Sequence, residues 1–199
     1  MGRTAYPEDT IMKLFAAISL ALSMLWPMTA GAAGWDVGPP VGAKVPALHV
    51  TDLQGAPKGL ADLAGKNGVV LMFFRSAKWC PYCQAQLIAM KDAPGPLAER
   101  GYKLAALSYD PTEVLTRFTE QRQIPYPLLS DAGSVTIDAW KLRDVRYKPD
   151  SYAWGVPYAS IYVISPKGVL RAKLAEEDYK VRPPLSAVLA AIDALPKAR

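Results

Sequence analysis

The chain contains two cysteines, Cys80 and Cys83, separated by two residues in the sequence Trp-Cys-Pro-Tyr-Cys. This spacing, between a run of strand-forming residues and a helical pattern, is typical of thiol–disulfide redox motifs. If Pro81 occupies the first position of the helix, which its fixed φ favours, Cys80 is the N-cap residue. Its sulfur then faces unpaired backbone N–H groups and the positive end of the helix dipole, and both favour the thiolate.

The same helix geometry predicts different roles for the two sulfurs. Cys83 follows Cys80 at a helical spacing that places both on one face, so the pair can close a disulfide. We expect Cys80 to attack a substrate disulfide and Cys83 to resolve the mixed disulfide. No histidine stands between them, which favours a mildly reducing or intermediate reduction potential over a strongly oxidising one.

Other uses of the cysteine pair fit less well. A structural zinc site normally takes four protein ligands, and the chain offers two cysteines and the distant His49, so we expect no metal and no cofactor. We expect His49 to be a half-buried strand residue rather than a catalytic base. Covalent haem attachment needs a histidine where the chain has Gln84. A merely structural disulfide stays open, although a loop of about four residues contributes only about 2 kcal/mol.

Alternating strand and helix patterns surround the motif. Residues 68–74 are apolar and rich in β-formers, which predicts a strand buried on both faces. Residues 84–92 predict a helix that Pro94 and Pro96 end. Further strands are expected at 45–52 (an edge strand), 102–109, 127–130, 160–165 and 169–174, and further helices at 60–64, 111–123, 134–140 and 185–195. This order indicates an α/β domain with a central mixed β-sheet flanked by helices.

The N-terminus has the form of a secretory signal. Lys13 precedes an uncharged apolar stretch, residues 14–26, and small residues follow up to Ala33. We therefore predict a signal peptide over 1–33, with Met12 as an alternative start, and an exported domain over 34–199 in a bacterial periplasm. The apolar stretch is shorter than the roughly 20 residues of a membrane span, but an uncleaved leader that anchors the chain to a membrane stays open.

Composition excludes little except nucleic-acid binding. The net charge is +5, but the 23 Lys and Arg residues are scattered among 18 Asp and Glu residues. No basic run with interleaved aromatic residues would follow a phosphate backbone. The expected partners are therefore protein or small-molecule thiol or disulfide substrates and a redox partner protein.

Six segments around the motif carry a family resemblance. They are 70–75, 107–110, 128–131, 158–164, 168–171 and 178–182. With the Cys-Pro-Tyr-Cys motif they resemble the thioredoxin superfamily, and within it the peroxiredoxin-like members of the alkyl hydroperoxide reductase/thiol-specific antioxidant family. The resemblance covers about residues 41–192 and implies a thioredoxin-like fold, an antioxidant or oxidoreductase activity and a redox-active Cys80–Cys83 disulfide.

Two departures from the family pattern bear on activity. Peroxiredoxins carry Thr or Ser three residues before the peroxide-reacting cysteine and a Pro further back, where this chain has Ala77 and Phe73. The missing hydroxyl argues against efficient peroxide reduction. Thioredoxin folds also place a cis-proline opposite the cysteines; the expected position is Ala159, and Pro157 is the nearest candidate.

Supporting residues follow from the same resemblance. Trp79, Tyr82 and Tyr158 are expected to form an apolar rim around Cys80, although packing of Trp79 and Tyr158 on the sheet is equally compatible with the sequence. Pro81 and Pro157 complete the expected support. Two nearby cations, Lys78 and Arg75, are candidates for favouring the thiolate.

Three hypotheses for function remain. The first is an exported thiol–disulfide oxidoreductase, and the second is a peroxiredoxin-like thiol peroxidase that reduces hydroperoxides with the same pair. The third is a thioredoxin-like binding module whose disulfide is only structural.

Overall fold

A computed structural model describes residue 2 and residues 35–196. Apart from Gly2, the predicted signal peptide over 1–33 lies outside the described residues. No helix in the described part of the chain is long and apolar enough to cross a membrane.

Within residues 35–196, a seven-stranded mixed sheet forms the centre of the fold. Its strands are β1 (Val50–Thr51), β2 (Pro57–Lys58), β3 (Gly68–Phe73), β4 (Tyr102–Ser108), β5 (Leu128–Ser130), β6 (Ser160–Ile164) and β7 (Leu170–Ala175). They lie in the order β2-β1-β5-β4-β3-β6-β7. The central strands β3, β4 and β5 run parallel, whereas β6 and β7 form an antiparallel hairpin beside β3.

Six α-helices of the described residues flank the sheet. They are α1 (Leu60–Leu63), α2 (Pro81–Ala89), α3 (Pro94–Glu99), α4 (Thr112–Arg122), α5 (Val135–Ala139) and α6 (Leu185–Asp193). The mixed sheet flanked by helices confirms the predicted fold class, and residues 141–158 are irregular.

Strand β3 is buried along its whole length, as its apolar sequence predicts. Because successive side chains point to opposite faces of a sheet, its residues enter two cores. Val70 and Met72 pack in a core with both cysteines and residues of α2, α3, α4 and α6, which we call the cysteine-side core. Leu71 and Phe73 pack in a second core, with Trp140 and residues of α1 and α5. The strand therefore anchors the loop that carries the motif.

Two local predictions were wrong, and a third was incomplete. The edge strand expected at 45–52 is only two residues long and is internal, because β2 pairs outside it. His49 lies just before β1 and is exposed rather than half-buried. Pro94 and Pro96 do more than end the preceding helix, because Pro94 begins α3, a position where its missing N–H costs no hydrogen bond.

Gly68→Ala should destabilise the fold by about 2–3 kcal/mol, because it adds a clash at a strained backbone position. Gly68 has a φ of +134°, and a Cβ there would lie 1.9 Å from the carbonyl oxygen of Ile164. The matched control is Gly95→Ala in α3, where a Cβ meets no atom within 4 Å. Urea denaturation should show a large loss for the first variant and none for the second; equal midpoints would contradict the explanation.

Candidate active site

The two cysteines lie where β3 leads into α2, in the geometry that the sequence predicted. Cys80 is the N-cap residue, with an extended backbone, and Pro81 occupies the first helical position. The backbone N–H of Cys83 points at Cys80 Sγ, with 3.3 Å between nitrogen and sulfur. Cys80 and Cys83 form a disulfide, their Cα atoms 5.2 Å apart. Cys80 Sγ is thus placed where a helix N-terminus stabilises negative charge.

A buried carboxylate holds the loop before the motif. Asp110, just after β4, accepts a hydrogen bond on Oδ1 from the Ser76 hydroxyl at 2.8 Å. Its Oδ2 accepts from the Ala77 N–H at 2.6 Å and from the Ser108 hydroxyl at 3.1 Å. Burial raises the pKa of Asp110, although these three hydrogen bonds oppose the shift. Because the loop ends at Cys80, the carboxylate fixes the direction from which the motif enters α2.

One arginine lies against the cysteines, and a second lies near the first. Arg182, in the segment between β7 and α6, places Nη2 3.4 Å from Cys83 Sγ and 3.9 Å from Cys80 Sγ. Arg75, which is 2% exposed, stacks its guanidinium over the ring of Tyr179, 4.0 Å from the ring centre. Arg75 as a cation that favours the thiolate stays a prediction, and Arg182 was not among the candidates from sequence.

Aromatic side chains surround this cluster. Trp79 is half-buried, donates from Nε1 to the Tyr109 hydroxyl at 2.9 Å and packs edge-on against Tyr152. Tyr82 is 40% exposed and packs edge-on against Tyr179. Two of the three predicted rim residues therefore lie in an aromatic group that also contains tyrosines from the 147–152 and 178–182 segments. The sequence did not indicate that those tyrosines lie at the site, since aromatic residues in irregular segments are common.

The other predicted supporting residues lie elsewhere. Tyr158 packs edge-on against Trp35 and belongs to the second core, which matches the alternative that it packs on the sheet. Pro157 is buried and pairs with Arg143 in an isolated bridge, and the Val156–Pro157 bond is trans, like every described peptide bond. Lys78 is exposed, as expected for a solvated lysine.

Two grooves help to locate the reactive surface. A groove of about 400 Å³ lies between α2 and residues 180–185, with apolar walls that include Tyr82, Met90 and Leu185, and Arg182 also lines it. A larger groove, of about 600 Å³, lies at the opposite end of β3, around Lys66 and Asn67. The smaller groove is the relevant one, because it shares Arg182 with the disulfide. In the described ranges, no three His, Cys, Asp or Glu side chains form a cluster that could hold a metal ion.

The fold and the cysteine pair define a protein of the thioredoxin-like class with a C-x-x-C site. Residues 41–173 match the AhpC/TSA family, so the chain belongs to that family.

Relatives of both enzymatic types are similar to this chain. It is 32% identical over 103 residues to the thiol-disulfide oxidoreductase ResA of Bacillus cereus, which is 51% of this chain and 58% of the relative. It is 26% identical over 130 residues to the chloroplastic peroxiredoxin Q of Sedum lineare, which is 65% of this chain and 66% of the relative. The matched region therefore spans only about three-fifths of the length of ResA.

A solved structure agrees in fold. The crystal structure of the peroxidoxin BcpB from Mycobacterium tuberculosis superposes with a TM-score of 0.66 at 23% identity, covering 81% of this chain and all of that one (100%). Such a likeness supports the fold.

Proposed function

We propose that the protein is an exported thiol–disulfide oxidoreductase in which Cys80 is the nucleophile and Cys83 the resolving cysteine. The observation that carries this proposal is the N-cap position of Cys80, whose sulfur lies against the Cys83 N–H at the start of α2. A thiolate there gains from the helix dipole and from that N–H donor, which lowers the pKa of a cysteine and raises its thiolate fraction.

The disulfide itself is buried. Cys80 is 1% exposed and Cys83 is 0% exposed, and Arg182 touches both sulfurs. A substrate therefore reaches Cys80 only when side chains over the site move aside, a local opening that does not need the core to unfold. Exchange passes through a mixed disulfide on Cys80 in either direction. The reduced Cys80 thiolate attacks a substrate disulfide and Cys83 resolves the product, or a substrate thiolate attacks Cys80 of the oxidised pair.

Peroxide reduction by the same pair is the second candidate, because peroxiredoxins are among the relatives. The site lacks the expected hydroxyl: Ala77 is buried, and its N–H is bonded to Asp110. Phe73 fills the second core where peroxiredoxins have a proline that helps to bind peroxide. These two positions favour disulfides over hydroperoxides as substrates.

Export and partners also belong to the proposal. The signal-like N-terminus supports a location in a bacterial periplasm, where disulfides persist. The expected partners are thiol- or disulfide-bearing proteins or small molecules and a redox protein that regenerates the cysteine pair.

Cys83→Ser should trap substrates on Cys80, because a mixed disulfide then has no resolving thiol. Expressed with its own leader, the variant should yield reductant-sensitive adducts in the periplasmic fraction, and mass spectrometry should identify the partner. Cys80→Ser is the matched control, since it also lacks the disulfide but keeps only Cys83, which is not at the helix N-cap, and it should yield none. If no adducts form in a fraction that contains the exported protein, the enzymatic proposal is contradicted and a binding module is favoured.

A further inference from the structure

Among the residues that the structure describes, the guanidinium groups of Arg75 and Arg182 have no carboxylate partner, since neither lies within 4.0 Å of an acidic oxygen. Arg75 is held instead by the Tyr147 hydroxyl and the Tyr179 ring, and in that part of the chain its Nε is buried without a hydrogen-bond partner. Nε and Nη1 of Arg182 are likewise buried and unpartnered there, while its Nη2 faces the sulfur of Cys83.

The charges around Arg182 do not neutralise it. Asp178 and Tyr179 come from its own segment, and Asp178 is exposed. Arg75 faces it from the loop before the motif, and Arg146 approaches the Tyr179 ring from the irregular segment. Burial, and secondly the nearby Arg75, lower the pKa of Arg182 to about 10. The side chain is still protonated at pH 7, so its positive charge, with that of Arg75 close to it, lies against a disulfide that carries no charge.

Reduction of the disulfide would supply the missing negative charge. Buried cations without counter-charges are costly, and a thiolate 3–4 Å away offsets that cost. The dithiol form is therefore stabilised relative to the disulfide, and a redox pair whose reduced form is stabilised is an oxidant.

We propose that the Arg75–Arg182 pair makes the protein an oxidant that transfers its disulfide to substrate dithiols. This inference rests on the proposed oxidoreductase function and adds its direction. It predicts a more oxidising potential than the cysteine motif alone does, because the motif contains neither arginine.

The reaction is balanced by the cysteine pair alone. A substrate thiolate attacks Cys80 Sγ, the Cys80–Cys83 bond breaks, and Cys83 leaves as a thiolate next to Arg182. The second thiolate of the substrate then attacks the substrate sulfur that is bonded to Cys80. This closes the substrate disulfide and releases Cys80. Two electrons pass from the substrate to the cysteine pair, and the two protons of the substrate thiols pass to water. If one of the two cysteines does not stay ionised, it takes up a proton from water. Arg182 thus stabilises the leaving group of the first step.

Equilibration of the full-length protein with reduced and oxidised glutathione tests the direction. The wild-type equilibrium should favour the dithiol form at least about 1,000-fold more than thioredoxin does in the same buffer, a difference of about 89 mV that exceeds the intermediate range of the glutaredoxins. Arg182→Gln should shift the constant at least about tenfold back towards the disulfide, or about 30 mV. It should also move the thiolate absorbance titration to higher pH, which a merely structural role would not do.

Two controls separate charge from packing. Arg182→Lys keeps the charge and should retain most of the wild-type equilibrium, while Lys103→Gln removes an exposed cation of β4 outside the groove and should leave the equilibrium within about twofold. A wild-type equilibrium like that of thioredoxin overturns the inference without any variant, and so does an unchanged constant in Arg182→Gln. Either result leaves the oxidoreductase proposal standing if substrates are still trapped on Cys80.

Discussion

Cys80→Ser should abolish reaction with disulfides, lowering the rate for the reduced protein by about 10³-fold or more. The variant keeps one thiol, Cys83, which is 0% exposed and lacks the N-cap position. Both thiols are buried and need local opening to react, but only Cys80 is at the N-cap, and away from the helix N-terminus less of a thiol is ionised. Stopped-flow reaction with a chromogenic small disulfide measures the rate directly.

Cys83→Ser is the control that isolates the nucleophile. Both variants lose the same short disulfide loop, so both should lose about 2 kcal/mol of stability relative to the oxidised protein. Only Cys83→Ser should keep a first attack of nearly wild-type rate, since Cys80 is intact. Equal rates for the two variants would mean that position 80 is not the nucleophile, and the catalytic assignment would then be wrong.

The structure around the cysteine motif could be predicted from sequence because its determinants are close together in the chain. The apolar run that became β3, the proline after Cys80 and the helical spacing to Cys83 all lie within about 20 residues, so one pattern predicted the strand, the N-cap and the disulfide. The β6–β7 hairpin was predictable for the same reason, since Pro166-Lys167-Gly168 forms its turn and Gly168 has a φ of +74°.

Contacts between residues distant in sequence could not be predicted. Arg182 reaches Cys80 across 102 residues, and nothing in its own segment indicates which way its side chain points. Asp110 was visible only as the end of a strand, although an acidic residue directly after a buried strand could have suggested a buried carboxylate. For Tyr158 the sequence left open both the active-site rim and packing on the sheet, and the structure packs it against the second core.

Asp110→Ala should be among the most destabilising single changes near the site, costing about 4 kcal/mol and slowing disulfide exchange as well. It leaves the buried Ser76 and Ser108 hydroxyls and the Ala77 N–H without their acceptor, at about 1–3 kcal/mol each. The loop that sets the entry of Cys80 into α2 then loses its anchor. Asp110→Asn is the milder control, since its amide oxygen can still accept from Ala77 and Ser108.

A comparison of wild type with Asp110→Asn also tests the effect of pH on stability. Burial raises the pKa of Asp110 in the folded protein above its ordinary value of 3.8. The folded state therefore binds this proton more tightly than the unfolded state does, so the associated stability is complete below about pH 4 and is lost as pH rises through the folded-state pKa. Asp131, also raised mainly by burial, is present in both proteins and cancels in the comparison. Denaturant titrations from about pH 3 to about pH 8 should show that wild type loses stability relative to Asp110→Asn as pH rises. If wild type instead gains stability relative to Asp110→Asn as pH rises, the three hydrogen-bond donors outweigh burial and hold the carboxylate in its ionised form.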